Sequence, residues 1–237
     1  KELRDGTELS GLLRALSTVP GDYWIRMFYC YPNSFTDEVL EVMASDPRFC
    51  RYLDMPFQHI SDPVLKKMNR KITRKEIEAT MARVRRKLPD VAWRTTFIVG
   101  FPTETDQDFE ELVDFVSEGH FQHLGIFLYS DEDNIRSSKF GDPIPLSLKE
   151  ERKNRLMEIQ QKISREHHQK MVGSLQQVLV GGFSSETDLL LEGRNQYQGP
   201  EVDGVVYINE GNATSAGFHQ VEITEAHEYD LVGKILN

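Results

Sequence analysis

The polar residues best placed for chemistry in this chain fall at three points, each at the end of an apolar run. The run Thr96-Phe97-Ile98-Val99 ends in Gly100-Phe101-Pro102-Thr103-Glu104-Thr105. A helix is expected next, because Phe109, Leu112, Val113 and Val116 recur at helical spacing. Ligands of α/β enzymes sit at the carboxyl ends of such strands, where backbone N–H groups and a helix N-terminus face the site. Gly100 lets the backbone approach a ligand there. The plainer alternative is a loop leading to a helix capped by Thr105. Gln58, His59 and Ser61 likewise end a strand ahead of a helix. They offer an amide and a hydroxyl to a ligand, or else Ser61 is an N-cap and His59 a hydrogen-bonded surface histidine. Tyr129 and Ser130 close a third strand, where their backbone groups can meet a ligand. Arg94 and Thr96 alternate with apolar residues on the Trp93–Val99 strand. A charge inside a core is costly unless paired, so Arg94 either points outward or binds a carboxylate.

Metal chemistry has little support. The chain has two cysteines, Cys30 and Cys50, twenty residues apart, which is neither ligand spacing nor a disulfide framework. They read as buried, reduced and inert thiols. His167 and His168 are adjacent, face different directions and read as a solvated helix end.

Positioning these groups requires repeated strand–helix units. Tyr23–Tyr29 and Arg51–Met55 read as strands, as do Trp93–Val99 and Gln122–Tyr129. Thr36 caps a helix carrying Val39, Leu40 and Met43. Ser61-Asp62-Pro63 starts another. Thr73 and Glu76 form a capping box, with Ile72 and Ile77 placed as a hydrophobic staple. Ser147 with Glu150 is expected to make a second box at the head of a long polar helix reaching about Met171. Such repeats imply a parallel sheet with covering helices. Four units are too few to close an eight-stranded barrel, so an open, partial barrel is expected.

After Gly173 the pattern changes to short β-rich runs: Gln176–Val180, Asp188–Glu192, Val205–Ile208, Gln220–Thr224 and Tyr229–Ile235. Gly, Asn and Pro punctuate them as in a small antiparallel barrel. The division is placed at 1–168 for the α/β part and 169–237 for the β module.

The composition is globular, 39% hydrophobic, with no run of 18 apolar residues, so no membrane-spanning helix is expected. The first residues, Lys1-Glu2-Leu3-Arg4-Asp5-Gly6, lack methionine and a signal-peptide core, and read as the middle of a longer cytoplasmic protein. The net charge of −10 is uneven. Residues 171–237 hold ten carboxylates against Arg194 and Lys234, whereas the rest is near balance. An acidic module does not suit a phosphate backbone and does suit a basic protein partner.

Several blocks together resemble one family. They are Tyr52-Leu53-Asp54-Met55-Pro56-Phe57-Gln58-His59-Ile60-Ser61-Asp62, Thr96-Phe97-Ile98-Val99-Gly100-Phe101-Pro102 with Glu104-Thr105, Gly199-Pro200-Glu201-Val202-Asp203-Gly204-Val205-Val206-Tyr207, and Glu228-Tyr229-Asp230-Leu231-Val232-Gly233. In this combination the chain is similar to the radical S-adenosylmethionine methylthiotransferases, most of all those that modify an aspartate of ribosomal protein S12. The resemblance runs over nearly the whole chain. It implies the later part of a radical S-adenosylmethionine (SAM) partial barrel followed by a TRAM domain, a small OB-like barrel. The activity it implies is insertion of a methylthio group at the aspartate β-carbon after hydrogen abstraction by a radical made from SAM. The sister enzymes do the same chemistry on a transfer-RNA adenosine, and the acidic β module favours the protein substrate. A third reading makes this chain a substrate-docking module only.

The same resemblance implies two four-iron four-sulfur clusters in the full-length protein. The Cys-x-x-x-Cys-x-x-Cys loop that holds one and the three amino-terminal-domain cysteines that hold the other are missing here, so no cluster is expected on this chain and it should be inactive alone. Gln58, Ser61, Arg94, Thr96, Ile98, Gly100, Glu104 and Tyr129 are the expected cofactor-binding residues, with Ile98 offering an apolar face to the adenine. Thr103 stands where the family usually has glycine. Tyr197, Glu201, Asp203 and Tyr207 are the expected substrate-binding residues, unless the tyrosines are barrel core. The expected partner is ribosomal protein S12 on the small ribosomal subunit, with transfer RNA second, no membrane, and a monomeric protein.

Overall fold

The computed structural model describes residues 8–32, 35–132, 138–211 and 216–236. The reading of Lys1 to Gly6 lies outside them. The first part runs α1 (Leu9–Ser17), β1 (Ile25–Met27), α2 (Asp37–Ser45), β2 (Phe49–Asp54), α3 (Asp62–Lys67), α4 (Arg74–Lys87), β3 (Ala92–Val99), α5 (Asp106–Ser117), β4 (His123–Leu128) and α6 (Leu146–Gln169). Its four strands form one parallel sheet in the order β1-β2-β3-β4, open at both edges.

Side chains alternate across a strand, and here the two faces have different jobs. Trp93, Phe97 and Val99 of β3 join Phe49 and Leu53 of β2 in the main core beneath the helices. Phe57 and Phe121 fill the centre of that core, with rings 6.2 Å apart. Each such side chain contributes ~1.5–3 kcal/mol of apolar burial. The opposite face carries Cys50 and Tyr52 of β2, Ala92 of β3, and Trp24 and Phe28 from the β1 segment. Helices therefore cover one face and leave the other for a site, as in an arc of a barrel.

The helix ends follow local chemistry. Thr36 accepts from the Val39 N–H, and complete capping boxes stand at Thr73–Glu76 and Thr105–Asp108. The box expected at Ser147 does not form. Pro145 is the N-cap residue of α6, which puts Ser147 inside the first turn, too far along to cap.

Strands β5 (Leu175–Phe183), β6 (Leu191–Arg194), β7 (Val206–Glu210), β8 (Gly217–Ala226) and β9 (Leu231–Ile235) close into a barrel in the order β5-β6-β7-β9-β8. Four seams are antiparallel, but β7 and β9 run parallel, so the barrel is OB-like rather than wholly antiparallel. The run expected at Asp188–Glu192 pairs later, from Leu191 onward, since Leu189 stands exposed in the preceding turn. Val178, Val180, Val206, Ile208, Val221, Ile223 and Leu231 fill the interior.

Candidate functional site

The helix-free face of the sheet has two ends with different chemistry. At the carboxyl end lies a hollow of about 520 Å³, lined by Gln58, Met68, Asn69, Arg70, Ile98, Phe101, Phe127 and Tyr129 among others. Gln58 reaches it because its backbone leaves the regular path. Its N–H donates to the Thr96 carbonyl, its carbonyl accepts from the Ile98 N–H, and its φ is +75. A non-glycine residue held at positive φ costs ~1–3 kcal/mol, and such strain gathers at functional sites. Phe101 and Tyr129 meet edge to face with centroids 5.2 Å apart, and Phe127 is 61% exposed beside them. An apolar, aromatic wall, with the amides of Gln58 and Asn69 and the charges of Lys67, Arg70 and Glu132 around it, suits a planar heterocycle carrying polar substituents.

Three of the eight expected cofactor residues, Gln58, Ile98 and Tyr129, thus come together in the hollow. The Tyr129 backbone groups proposed as ligands are already engaged: its N–H donates to the Val99 carbonyl and its carbonyl accepts from Lys149 Nζ. Its ring packs edge to face on Phe101. Ser61, Gly100 and Glu104 lie beneath it instead. The Ser61 hydroxyl donates to Asp108 and makes no cap bond. Glu104 accepts from the N–H groups of Gly100 and Phe101 and pairs with Arg152 at 3.3 Å, closing the loop from below. Burial outweighs the pull of Arg152 and the two amides and lifts Glu104 to about 7. Gly100, at φ +75, is glycine because a Cβ would collide with the Lys149 stem. His59 is no surface group: it is fully buried, its Nδ1 accepts from the Ser61 N–H, and burial pushes it down to about 4.

The other end of the face is closed by the β module. Arg94 does bind carboxylates, but they are the chain's own: Asp54 at 3.2 Å and Asp203 at 3.4 Å. Asp203 also accepts from the Tyr52 hydroxyl and the Gly199 N–H, both at 2.7 Å, and lies 3.4 Å from His123 Nδ1. Its side chain is 3% exposed, so it is not presented to a substrate. His123 Nε2 lies 2.7 Å from the Tyr197 carbonyl, and Arg26 donates to the carbonyls of Asn195 and Gln196. Residues 195–203 therefore form a floor under the sheet face, and Thr96 lies on β3 between Arg94 and Ile98, 8% exposed.

Of the four expected substrate residues, Glu201 and Asp203 line one cavity of about 420 Å³, whereas Tyr197 lines a different one. Tyr197 is half-buried in a seam cavity of about 500 Å³, Glu201 is exposed at φ +66, and Tyr207 lies on β7 opposite Glu192. His167 and His168 line that same seam cavity, and His168 Nδ1 lies 3.1 Å from the His227 carbonyl; they are not a solvated end. Cys50 is buried and Cys30 half-buried, and burial raises their thiols to about 11 and about 12. Among the described residues no group of three His, Cys, Asp or Glu is placed to hold a metal.

Reading the sequence missed Asp54 as a partner of Arg94, Tyr52 and His123 as partners of Asp203, and Phe127 as a wall of the hollow. Alternation was the available signal: Tyr52 and Asp54, Arg94 and Thr96, and His123 and Phe127 share one face of neighbouring strands.

Comparison with known proteins matches two domain profiles to separate parts of the chain. The radical SAM superfamily profile matches residues 4–116, and the TRAM domain profile matches residues 172–236. The ribosomal protein uS12 methylthiotransferase RimO of Geobacter sulfurreducens is 41% identical over 237 residues, covering 100% of this chain and 53% of the relative. That of Bdellovibrio bacteriovorus is 48% identical over 225 residues, 95% of this chain and 49% of the relative. The chain thus spans about half the length of the curated relatives it matches. Among solved structures, coproporphyrinogen III oxidase (HemN) from Escherichia coli, a radical SAM enzyme, aligns with 57% of this chain and 30% of its own at 20% identity; its TM-score of 0.45 is too low to bear on function.

Proposed function

We propose, for a chain that belongs to the radical SAM methylthiotransferase family, that the full-length protein inserts a methylthio group at the β-carbon of an aspartate of ribosomal protein S12. The residues divide as 1–168, the later part of the partial barrel, and 169–237, the TRAM module. The observation that carries the reading is the hollow at the strand ends, whose Gln58, Ile98, Phe101 and Tyr129 suit the adenosine of SAM. When bound to a reduced iron–sulfur cluster, SAM supplies the hydrogen-abstracting chemistry. The cluster has no ligand set in this chain, whose two cysteines stand apart, so its thiolates must come from elsewhere in the full-length protein.

This chain's own residues do three things. They hold the heterocycle against an aromatic wall, they close the lower end of the site with Asp203 and its partners, and they expel water from the face between. Exclusion of water and bystander C–H bonds is what a radical reaction needs. The TRAM module adds the exposed carboxylates Glu186, Asp188, Glu201, Glu210 and Glu225. A lysine- and arginine-rich ribosomal protein complements that surface, while a transfer RNA is repelled by it. No helix among the described residues is long and apolar enough to cross a membrane.

Mass spectrometry of ribosomal protein S12 from cells lacking the full-length gene tests the reading. The methylthio mass increment is expected to disappear. An unchanged S12 together with transfer RNA that has lost its methylthio group would overturn it in favour of the sister activity.

A further inference from the structure

The hollow has a support that neither the motif blocks nor the sheet supplies. Lys149 stands in the first turn of α6 yet is only 2% exposed. Lysine is seldom buried without a paired charge, and here the partners are specific. Its Nζ donates to the Tyr129 carbonyl at 2.8 Å and to Asp142 Oδ1 at 2.5 Å, and lies 5.4 Å from the Tyr129 ring centroid. Its stem occupies the space behind Gly100, whose missing Cβ would otherwise collide with it. One side chain thus touches the end of β3 and the end of β4, the two strand ends whose Phe101 and Tyr129 rings form the wall. One turn further on, Arg152 pairs with Glu104 from the same helix face.

We propose that Lys149 is a positioning residue for the hollow: it fixes the separation of the Gly100–Phe101 and Tyr129 walls, and so the affinity of that site for the adenosyl group. The proposal rests on reading the hollow as the SAM site. The simpler account is that Lys149 is filler behind Gly100. Lys149→Met separates the two, since methionine keeps a stem of similar length and loses only the ammonium. The Tyr129 carbonyl then lacks its charged donor, which is the bond that sets the wall.

The experiment uses the 237-residue chain, with amide hydrogen exchange at Gly100, Phe101 and Tyr129 and an NMR titration with S-adenosylhomocysteine. In Lys149→Met, exchange at those three amides is expected to rise about ten-fold, and affinity to fall about ten-fold, while β5–β9 amides stay unchanged. Asp142→Asn, which leaves Lys149 in place, is expected to produce the same pattern at roughly a third of the size. It carries the comparison if the methionine variant does not fold. A folded Lys149→Met chain with wild-type exchange and wild-type affinity overturns the inference. If the wild-type chain itself fails to bind S-adenosylhomocysteine, the assignment of the hollow falls, and exchange alone decides whether Lys149 sets the wall.

Discussion

Two buried groups beneath the Gly100–Thr105 loop titrate in opposite senses, and each can be isolated by one substitution. Burial lifts Glu104 from 4.5 to about 7, and burial lowers His59 from 6.5 to about 4. Between those limits the native state keeps a proton on Glu104 that the unfolded chain releases. The stability due to Glu104 is therefore full below its unfolded value and is lost as pH rises towards 7. For His59 the unfolded chain takes up a proton that the native state refuses. Its contribution is full above 6.5 and is lost as pH falls towards 4. At 1.36 kcal/mol per unit, each displacement amounts to about 3 kcal/mol. Glu104→Gln keeps an oxygen for the Gly100 and Phe101 N–H groups but cannot titrate. In urea denaturation at fixed ionic strength, the advantage of wild type over this variant is expected to shrink by about 3 kcal/mol from pH 4.5 to 7. The advantage over His59→Asn is expected to grow by a similar ~3 kcal/mol from pH 4 to 6.5. A Glu104→Gln difference that does not vary with pH would refute the reasoning. It would mean that Arg152 and the two amides keep Glu104 ionised despite its burial.

The seam and the caps give two further expectations. Asp203→Asn should cost ~3–5 kcal/mol, because Arg94 loses a buried carboxylate partner; calorimetry is expected to show the barrel unfolding apart from the α/β unit. Thr105→Ala removes the hydroxyl half of the α5 capping box, leaving Asp108 on the residue-105 N–H, and should destabilise by ~1 kcal/mol in chemical denaturation, with no change in the barrel's amide spectrum.

Local signals carried much of the architecture. The capping box at Thr73 and the cap at Thr105 could be read because each is written within four residues, and the β1–β4 order follows from alternating strand and helix periodicity. Arg94 illustrates what could not be read. A charged residue in an apolar strand left open whether it points outward or binds a carboxylate, and its partner Asp203 arrives from the far side of the chain, through tertiary packing alone. His59 failed for a related reason: nothing in Gln58-His59-Ile60-Ser61 announces that Asp108 and α5 will enclose it. Glu104 was placed on the right loop with the wrong orientation, since strand periodicity does not say whether a loop carboxylate turns up to a ligand or down to a helix.

The connecting helix α6 has a geometric consequence. Lys149 near its start grips the strand-end loops, and His168 near its finish touches the barrel at His227. A helix turns ~100° per residue, so these two grips are locked in phase along one rod. Inserting or deleting a single residue between them would clock the barrel around the axis and swing its 195–203 segment away from the sheet. Even a whole turn, which restores the phase, would carry the barrel about 5.4 Å along the axis and off the sheet, so the rod's length is as fixed as its angle.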